Sequence, residues 1–210
     1  MTAPPDLLGG EDVPAEPQQA RSASKRARLK AAALAVFGER GYQGAAVSGI
    51  ARRARLPVGS FYQHFRTKRQ LLLVLMNELV SGLSRVEFRP SAGGDRRAAL
   101  QELLSGAFAQ DLHYLGAYRA WQEAVLADPD LAEKERQIRA WTTARVTGLF
   151  RMLLTLPGAR VDVDEAALGR ILDDVFWNLL AEAAARGRGP GEATIDAICH
   201  LIEHALFRDS

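Results

Sequence analysis

Two clusters of side chains in this sequence have the types and spacing to do chemistry. In Val58-Gly59-Ser60-Phe61-Tyr62-Gln63-His64, one position without a side chain is followed by four hydrogen-bonding groups, while Phe61 and Phe65, four apart, are apolar anchors. Such a surface can approach a nucleic-acid groove closely: Ser and Gln side chains reach base edges, and Val can touch a thymine methyl. The second cluster is His200-Leu201-Ile202-Glu203-His204. Two histidines at i, i+4 on one helix face can share a metal, with the glutamate as a base. A catalytic zinc needs a third protein ligand, and nothing nearby in the sequence supplies a matching signal. A zinc-dependent hydrolase built on these three residues is therefore an alternative, set against polar flank residues of a helix.

The elements that must position the first cluster follow from periodicity. Val47, Ile50, Ala51 and Ala54 fall at i, i+3, i+4, i+7, one apolar stripe, with Arg52 and Arg53 off it and outside. Pro57 suits the first turn of the next helix, where its missing N–H costs nothing. Upstream, Ser22 or Ser24 can cap a helix whose stripe is Leu29, Ala33, Val36 and Phe37, ending at Gly41. Arg26 and Arg28 lie near its start, where the helix dipole gives cations no help, a placement that fits an arm reaching phosphate. Downstream, Thr67-Lys68-Arg69-Gln70 has the form of a capping box and opens a fourth helix running to about Val86. Two short helices joined by a tight connection and ending in aromatic and basic groups are the pattern of a helix-turn-helix.

The order and spacing of Gly41-Tyr42, Ile50-Ala51, Gly59-Ser60-Phe61-Tyr62, His64-Phe65 and Lys68 resemble the TetR family of bacterial transcriptional regulators, over Ser22 to Leu72. The resemblance implies that Ser48, Val58, Gly59, Ser60 and Gln63 face the major groove and that Tyr62, His64 and Lys68 hold phosphates. It implies a homodimer formed by the last two long helices, and a small-molecule cavity between the fourth and eighth helices. Two positions depart from the family pattern. Ala46 stands where Thr or Ser usually caps the second helix, a loss of roughly 0.5 to 2 kcal/mol, and Arg55 stands in the turn where Gly is usual.

Charge is strongly segregated. The chain of 210 residues has a net charge of +2, yet residues 1–20 carry −4, residues 21–69 carry +11 and residues 70–210 carry −5. A basic block coinciding with a helix-turn-helix is the footprint of a polyanion binder. Residues 1–21 are rich in Pro, Ala, Gly, Gln and acids without apolar periodicity, which predicts a disordered tail. Residues 22–68 then form the DNA-binding domain and 69–210 a larger helical domain for ligand binding and dimerisation. No apolar run approaches the ~18 residues of a membrane span, no signal peptide is visible, and the lone Cys199 excludes a disulfide framework. These features predict a cytoplasmic protein, and nothing in them calls for a metal or cofactor.

After a loop signal at Pro90–Gly94 the chain reads as helix: about 96–110, 113–127, 129–156, 164–187 and 191–207, giving an all-α protein of about nine helices. Asp128 with Pro129 marks one start and Leu156-Pro157-Gly158 that helix's stop. The last two helices are apolar on more than one face, so Leu168, Leu172, Val175, Phe176 and Leu179, with Ile198, Ile202 and Leu206, are expected at a subunit interface. Aromatics at helical spacing are commonly core. The cavity reading instead picks Phe108, Tyr118, Trp121, Trp141 and Trp177, with His113, Gln122 and Arg145 as its polar members. The function expected is a ligand-responsive regulator, a repressor released by a small molecule from a near-palindromic operator. A ligand-independent DNA-binding regulator is the alternative.

Overall fold

Three helix starts are set by side chains that satisfy the first free N–H groups. In a computed structural model, which describes residues 3–15, 17–86 and 96–207, Asp128 accepts from the N–H groups of Asp130 and Leu131 with Pro129 following it, and Asp164 accepts from those of Ala166 and Ala167. Thr67 accepts from the Gln70 N–H at 3.0 Å, while Gln70 Oε1 accepts from the Arg66 N–H at 2.7 Å, a capping box shifted by one residue. Nine helices result among the described residues: α1 (Ala20–Gly44), α2 (Val47–Arg53), α3 (Val58–Tyr62), α4 (Lys68–Ser84), α5 (Arg96–Leu112), α6 (Leu115–Val125), α7 (Pro129–Leu153), α8 (Glu165–Arg186) and α9 (Glu192–Leu206). The one extended pairing among them joins Ala159 to Phe207. The expected Pro90–Gly94 loop lies outside the described residues. No described helix is long and apolar enough to cross a membrane.

Two positions fix how α1 meets α6. Gly41 adopts φ 65°, which breaks the helical path of α1 where the sequence predicts its end. A Cβ there would collide with the Glu123 carboxylate, and a Cβ on Gly116 of α6 would collide with the Leu34 carbonyl oxygen of α1. The close approach lets α6 hydrogen-bond the end of α1: Arg119 Nη1 donates to the Gly38 carbonyl at 2.6 Å, and Glu123 Oε2 accepts from the Tyr42 N–H at 2.7 Å.

One buried cluster runs through α1 (Leu29, Phe37), α2 (Ile50), α3 (Phe61), α4, α6 (Trp121) and α8 (Trp177, Leu180). It crosses residue 68 without a break. α4 is buried almost all round, Leu71 to Met76 included, as a helix apolar on every face must be. A second cluster, with Leu100, Phe150, Leu153, Ile198, Ile202 and Leu206, fills the far end between α5, α7 and α9.

The N-terminal segment differs from the disordered tail that composition predicts. Leu7 is fully buried in the first cluster, and its N–H donates to Asn77 Oδ1 at 3.2 Å. Glu11 pairs with Arg69 at 2.6 Å, Asp12 with Arg66 at 3.3 Å, and Gln70 Nε2 donates to the Asp12 carbonyl at 2.7 Å. Composition counts residue types and misses this, because one leucine and two acids suffice once the rest of the fold presents a matching apolar and basic surface. Leu7→Ala is expected to lower the unfolding free energy by about 2 kcal/mol or more in urea denaturation. A loss below about 0.5 kcal/mol, the scale of a neutral surface change, would show that the segment adds nothing to the fold.

Candidate nucleic-acid interface

The helix-turn-helix stripe is buried as its spacing predicts: Ile50, Ala51 and Ala54 lie in the core, while Arg52 and Arg53 are exposed. The turn after α2 is made by Arg55 at φ 54°, the single non-glycine residue with positive φ among those described. Such a conformation strains an L residue, and Arg28 supports it from α1, donating through Nη2 to the Ala54 carbonyl at 2.5 Å and the Arg55 carbonyl at 3.0 Å. Ala46 sits at the N-cap of α2 in an extended conformation with no side-chain cap. Pro57 occupies the N-cap of α3 rather than its first helical position. Phe61 and Phe65 are fully buried with ring centroids 5.8 Å apart, so α3 is anchored from beneath.

That anchoring leaves Ser48, Val58, Gly59, Tyr62 and Gln63 exposed and Ser60 half-buried on one outward surface. Four residues expected to meet phosphate have other work in the free protein. His64 is 4% exposed and Arg26 5% exposed. Arg26 Nη1 donates to the His64 carbonyl at 3.1 Å, and its guanidinium lies 4.7 Å from the centre of the Phe65 ring. Burial, with Arg26 and Lys25 nearby, pushes the His64 imidazole below its ordinary value, so it is chiefly neutral at neutral pH. Lys68 Nζ donates to the Tyr42 carbonyl at 2.6 Å and sits 4.2 Å from the centre of the Tyr42 ring. Arg28 braces the turn. These placements share a cause: basic groups near the start of α1 and α4 find carbonyls and aromatic faces of neighbouring elements that sequence spacing does not reveal. Exposed cations of α1 are Arg21, Arg28 and Arg40; those on α2, in the turn and after α3 are Arg52, Arg53, Arg55 and Arg66, of which Arg53 pairs with Glu39 at 2.5 Å and Arg66 with Asp12. Their signal was present in Arg52 and Arg53 falling off the apolar stripe.

In the C-terminal half, a cavity of about 680 Å³ opens between the end of α4 and helices α5, α7, α8 and α9. Of the eight residues expected there, Phe108, Trp141 and Arg145 line it. Trp121, Tyr118 and Trp177 are core: Trp121 Nε1 donates to Glu135 at 2.6 Å, and the Tyr118 and Trp177 rings lie 5.4 Å apart. His113 and Gln122 are exposed outside it. Arg145 joins the cavity to α4, donating to the Leu83 carbonyl at 3.3 Å and the Val86 carbonyl at 2.8 Å while lying 5.1 Å from the centre of the Trp141 ring. It caps carbonyls at the end of α4 that the helix itself leaves unpaired.

The residues expected at a subunit interface already have neighbours within the single chain. Ile198, Ile202 and Leu206 are buried inside the chain's own second cluster. Leu168, Leu172, Val175 and Leu179 are half-buried against that cluster, and Phe176 stacks on Phe108 with centroids 5.0 Å apart. A helix apolar on two faces can spend both within its own chain when a cavity and a neighbouring helix take one each. The exposed side of α9 carries Ala193, Ala197, His200, Leu201 and His204, and α8 exposes Ile171. The His200 and His204 rings meet edge to face with centroids 4.1 Å apart, but Glu203 pairs with Arg97 at 2.9 Å. Among the described residues no group of three His, Cys, Asp or Glu is placed to hold a metal ion.

A short helix pair, braced from α1 and presenting an outward polar surface on a basic segment, defines a helix-turn-helix protein with a helical companion body. Residues 29–75 match the family described as "Bacterial regulatory proteins, tetR family". It is 35% identical over 89 residues to the A-factor receptor protein of Streptomyces griseus, covering 42% of this chain and 29% of that protein. To the HTH-type transcriptional repressor DhaR of Mycobacterium sp. (strain GP1) it is 46% identical over 50 residues, 24% of this chain and 25% of that one. The matches thus span less than a third of these relatives. Solved structures extend the likeness of fold: a transcriptional regulator from Rhodococcus sp. Rha1 superposes with a TM-score of 0.63 over 88% of this chain and 99% of that one at 22% identity. NalD of Pseudomonas aeruginosa, the secondary repressor of the MexAB-OprM multidrug efflux pump, does so at 0.64 over 91% and 100% at 19% identity.

The uncapped start of α2 gives a direct test. Ala46 is exposed, so Ala46→Thr can place a hydroxyl at the free N–H groups and is expected to raise stability by about 1 kcal/mol, read as a higher urea midpoint at unchanged slope. An unchanged midpoint would mean that the free groups are already satisfied.

Proposed function

We propose that the chain is a DNA-binding transcriptional regulator, working in the cytoplasm as a homodimer on a near-palindromic operator and released from it by a small molecule. The observation that carries this reading is the outward surface of α3. Phe61 and Phe65 face the core, while Val58, Gly59, Tyr62 and Gln63 are exposed in a segment of charge +11. Nothing in the fold requires a glycine at position 59: a Cβ would meet no atom within 4 Å, and the backbone is not left-handed. Close approach of a partner surface accounts for it.

In this reading Ser48, Ser60 and Gln63 hydrogen-bond base edges and Val58 meets a thymine methyl. Tyr62 takes a phosphate beside the exposed Arg52 and Arg55. Arg26, Arg28, His64 and Lys68 hold the helix-turn-helix in shape. A dimer formed through the exposed faces of α8 and α9, with Ile171 and Leu201, would set two α3 helices about 34 to 36 Å apart, one turn of B-DNA. The cavity supports ligand response, because Arg145 links its wall to the end of α4, whose start follows the helix-turn-helix directly. A ligand that fits better when that link is rearranged would shift the protein away from the DNA-bound arrangement.

Selection from random duplex DNA followed by gel shift tests the reading. A two-fold symmetric site bound by a dimer at physiological salt is expected, and no sequence-selective complex would overturn it. Within that assay Gln63→Ala is expected to cost about 1 to 3 kcal/mol on the selected site and to relax preference at one base pair. Arg52→Ala is expected to weaken all sequences alike and to make the salt dependence shallower by about one counterion. The opposite pattern would exchange the two roles.

A further inference from the structure

The two arginines on the wall of the cavity are already paired, whereas its carboxylate is not. Arg145 is engaged with the Leu83 and Val86 carbonyls, and Arg151 pairs with Glu165 at 2.6 Å. Asp173, on α8 and also part of the wall, is 2% exposed. Its Oδ2 accepts from Thr143 Oγ1 at 2.8 Å, but its Oδ1 is buried without any hydrogen-bond partner. A buried carboxyl oxygen left bare is costly. The fold nevertheless holds it there: Gly169, one turn earlier, lets α8 press so closely on α7 that a Cβ would collide with Thr147 Oγ1.

The charges around Asp173 reinforce the asymmetry. Glu135, buried enough that its carboxyl is pushed above the ordinary range, adds a second acid nearby. Arg139, the cation in reach, pairs with Asp174 at 2.5 Å and lies 5.4 Å from the centre of the Trp177 ring. Burial likewise pushes the Asp173 carboxyl up, against the opposing pull of Thr143, Thr142, Arg139 and Trp177. The rest of the wall is apolar, with Leu100, Leu104, Phe108, Leu149, Val175 and Phe176.

We propose that this cavity takes an apolar molecule bearing a protonated amine, whose charge is matched by the Asp173 carboxyl of the wall while its hydrocarbon part fills the space among α5, α7 and α8. The proposal rests on the reading of the cavity as the effector site and names the class of effector. An anionic ligand would meet a bare carboxylate and two arginines already engaged, so it is disfavoured by the same arrangement.

Calorimetric titration of the full chain with 1-naphthylmethylamine, 1-methylnaphthalene and 1-naphthylacetate separates the two levels. The amine is expected to bind about tenfold or more tighter than the uncharged hydrocarbon, the scale of a hydrogen bond to a charged group, with the acetate weakest. In Asp173→Asn the amine's advantage should vanish while the hydrocarbon still binds. Asp173→Leu, which removes the carboxyl without leaving a buried polar group, serves if the asparagine variant does not fold. Acetate binding as tightly as the amine, or an amine preference that survives in the variant, overturns the proposal and leaves an apolar effector cavity standing. No binding of any of the three overturns the effector reading with it.

Discussion

The structure depends on the close crossing of α1 and α6. Gly116 removes the side chain that would strike the Leu34 carbonyl, and Gly41 turns the chain beside Glu123 where any Cβ would meet the carboxylate. Arg119 and Glu123 then satisfy a carbonyl and N–H groups at the end of α1. A helix end carries polar groups that need partners, and here those partners come from the C-terminal body. The helix-turn-helix therefore has no independent frame: its supporting helix is held by α6, and its aromatic anchors share one core with α4 and α8.

The same constraint sorts the cations of the basic block. Where a neighbouring element offers carbonyls or an aromatic face, the cation is spent on the fold, as with Arg26 under Phe65, Arg28 at the Arg55 turn and Lys68 on Tyr42. Arg69 is the extreme case, shared among Glu11, Asp128 and Asp130, so that the N-terminal segment, α4 and the start of α7 meet at one guanidinium. Cations on α2 and in the turn are exposed and keep their charge outward, Arg53 beside Glu39. In the proposed regulator this outer set attracts DNA while the inner set fixes the angle at which α3 is presented.

At the other end of α4, Arg145 repeats the device. It caps the helix's last carbonyls and leans on Trp141, so the wall of the cavity and the end of α4 cannot move independently. With α4 buried along most of its length, a shift at that end has to be taken up by the packed neighbours, which change by discrete rearrangement rather than smooth deformation.

The sequence alone determined the all-α class, the helix starts at Thr67, Asp128 and Asp164, the break at Gly41 and the buried stripe of the helix-turn-helix. Each of these is decided by groups within a few residues of one another, where caps and periodicity act. The outward face of α3, from Val58 to Gln63, was legible for the same reason, as was the strained turn at Arg55. Only the tertiary structure decided which cations stay free, that Leu7 docks an acidic segment, that Ile198 and Ile202 face inward, and that Phe108, Trp141 and Arg145 border a cavity while Tyr118, Trp121 and Trp177 are core. Those outcomes depend on partners well beyond the local pattern, such as Ala54 for Arg28, 26 residues away, and Asn77 for Leu7, 70 residues away. A local pattern shows that a face needs covering, but which distant element covers it is settled by how all nine described helices share one limited interior.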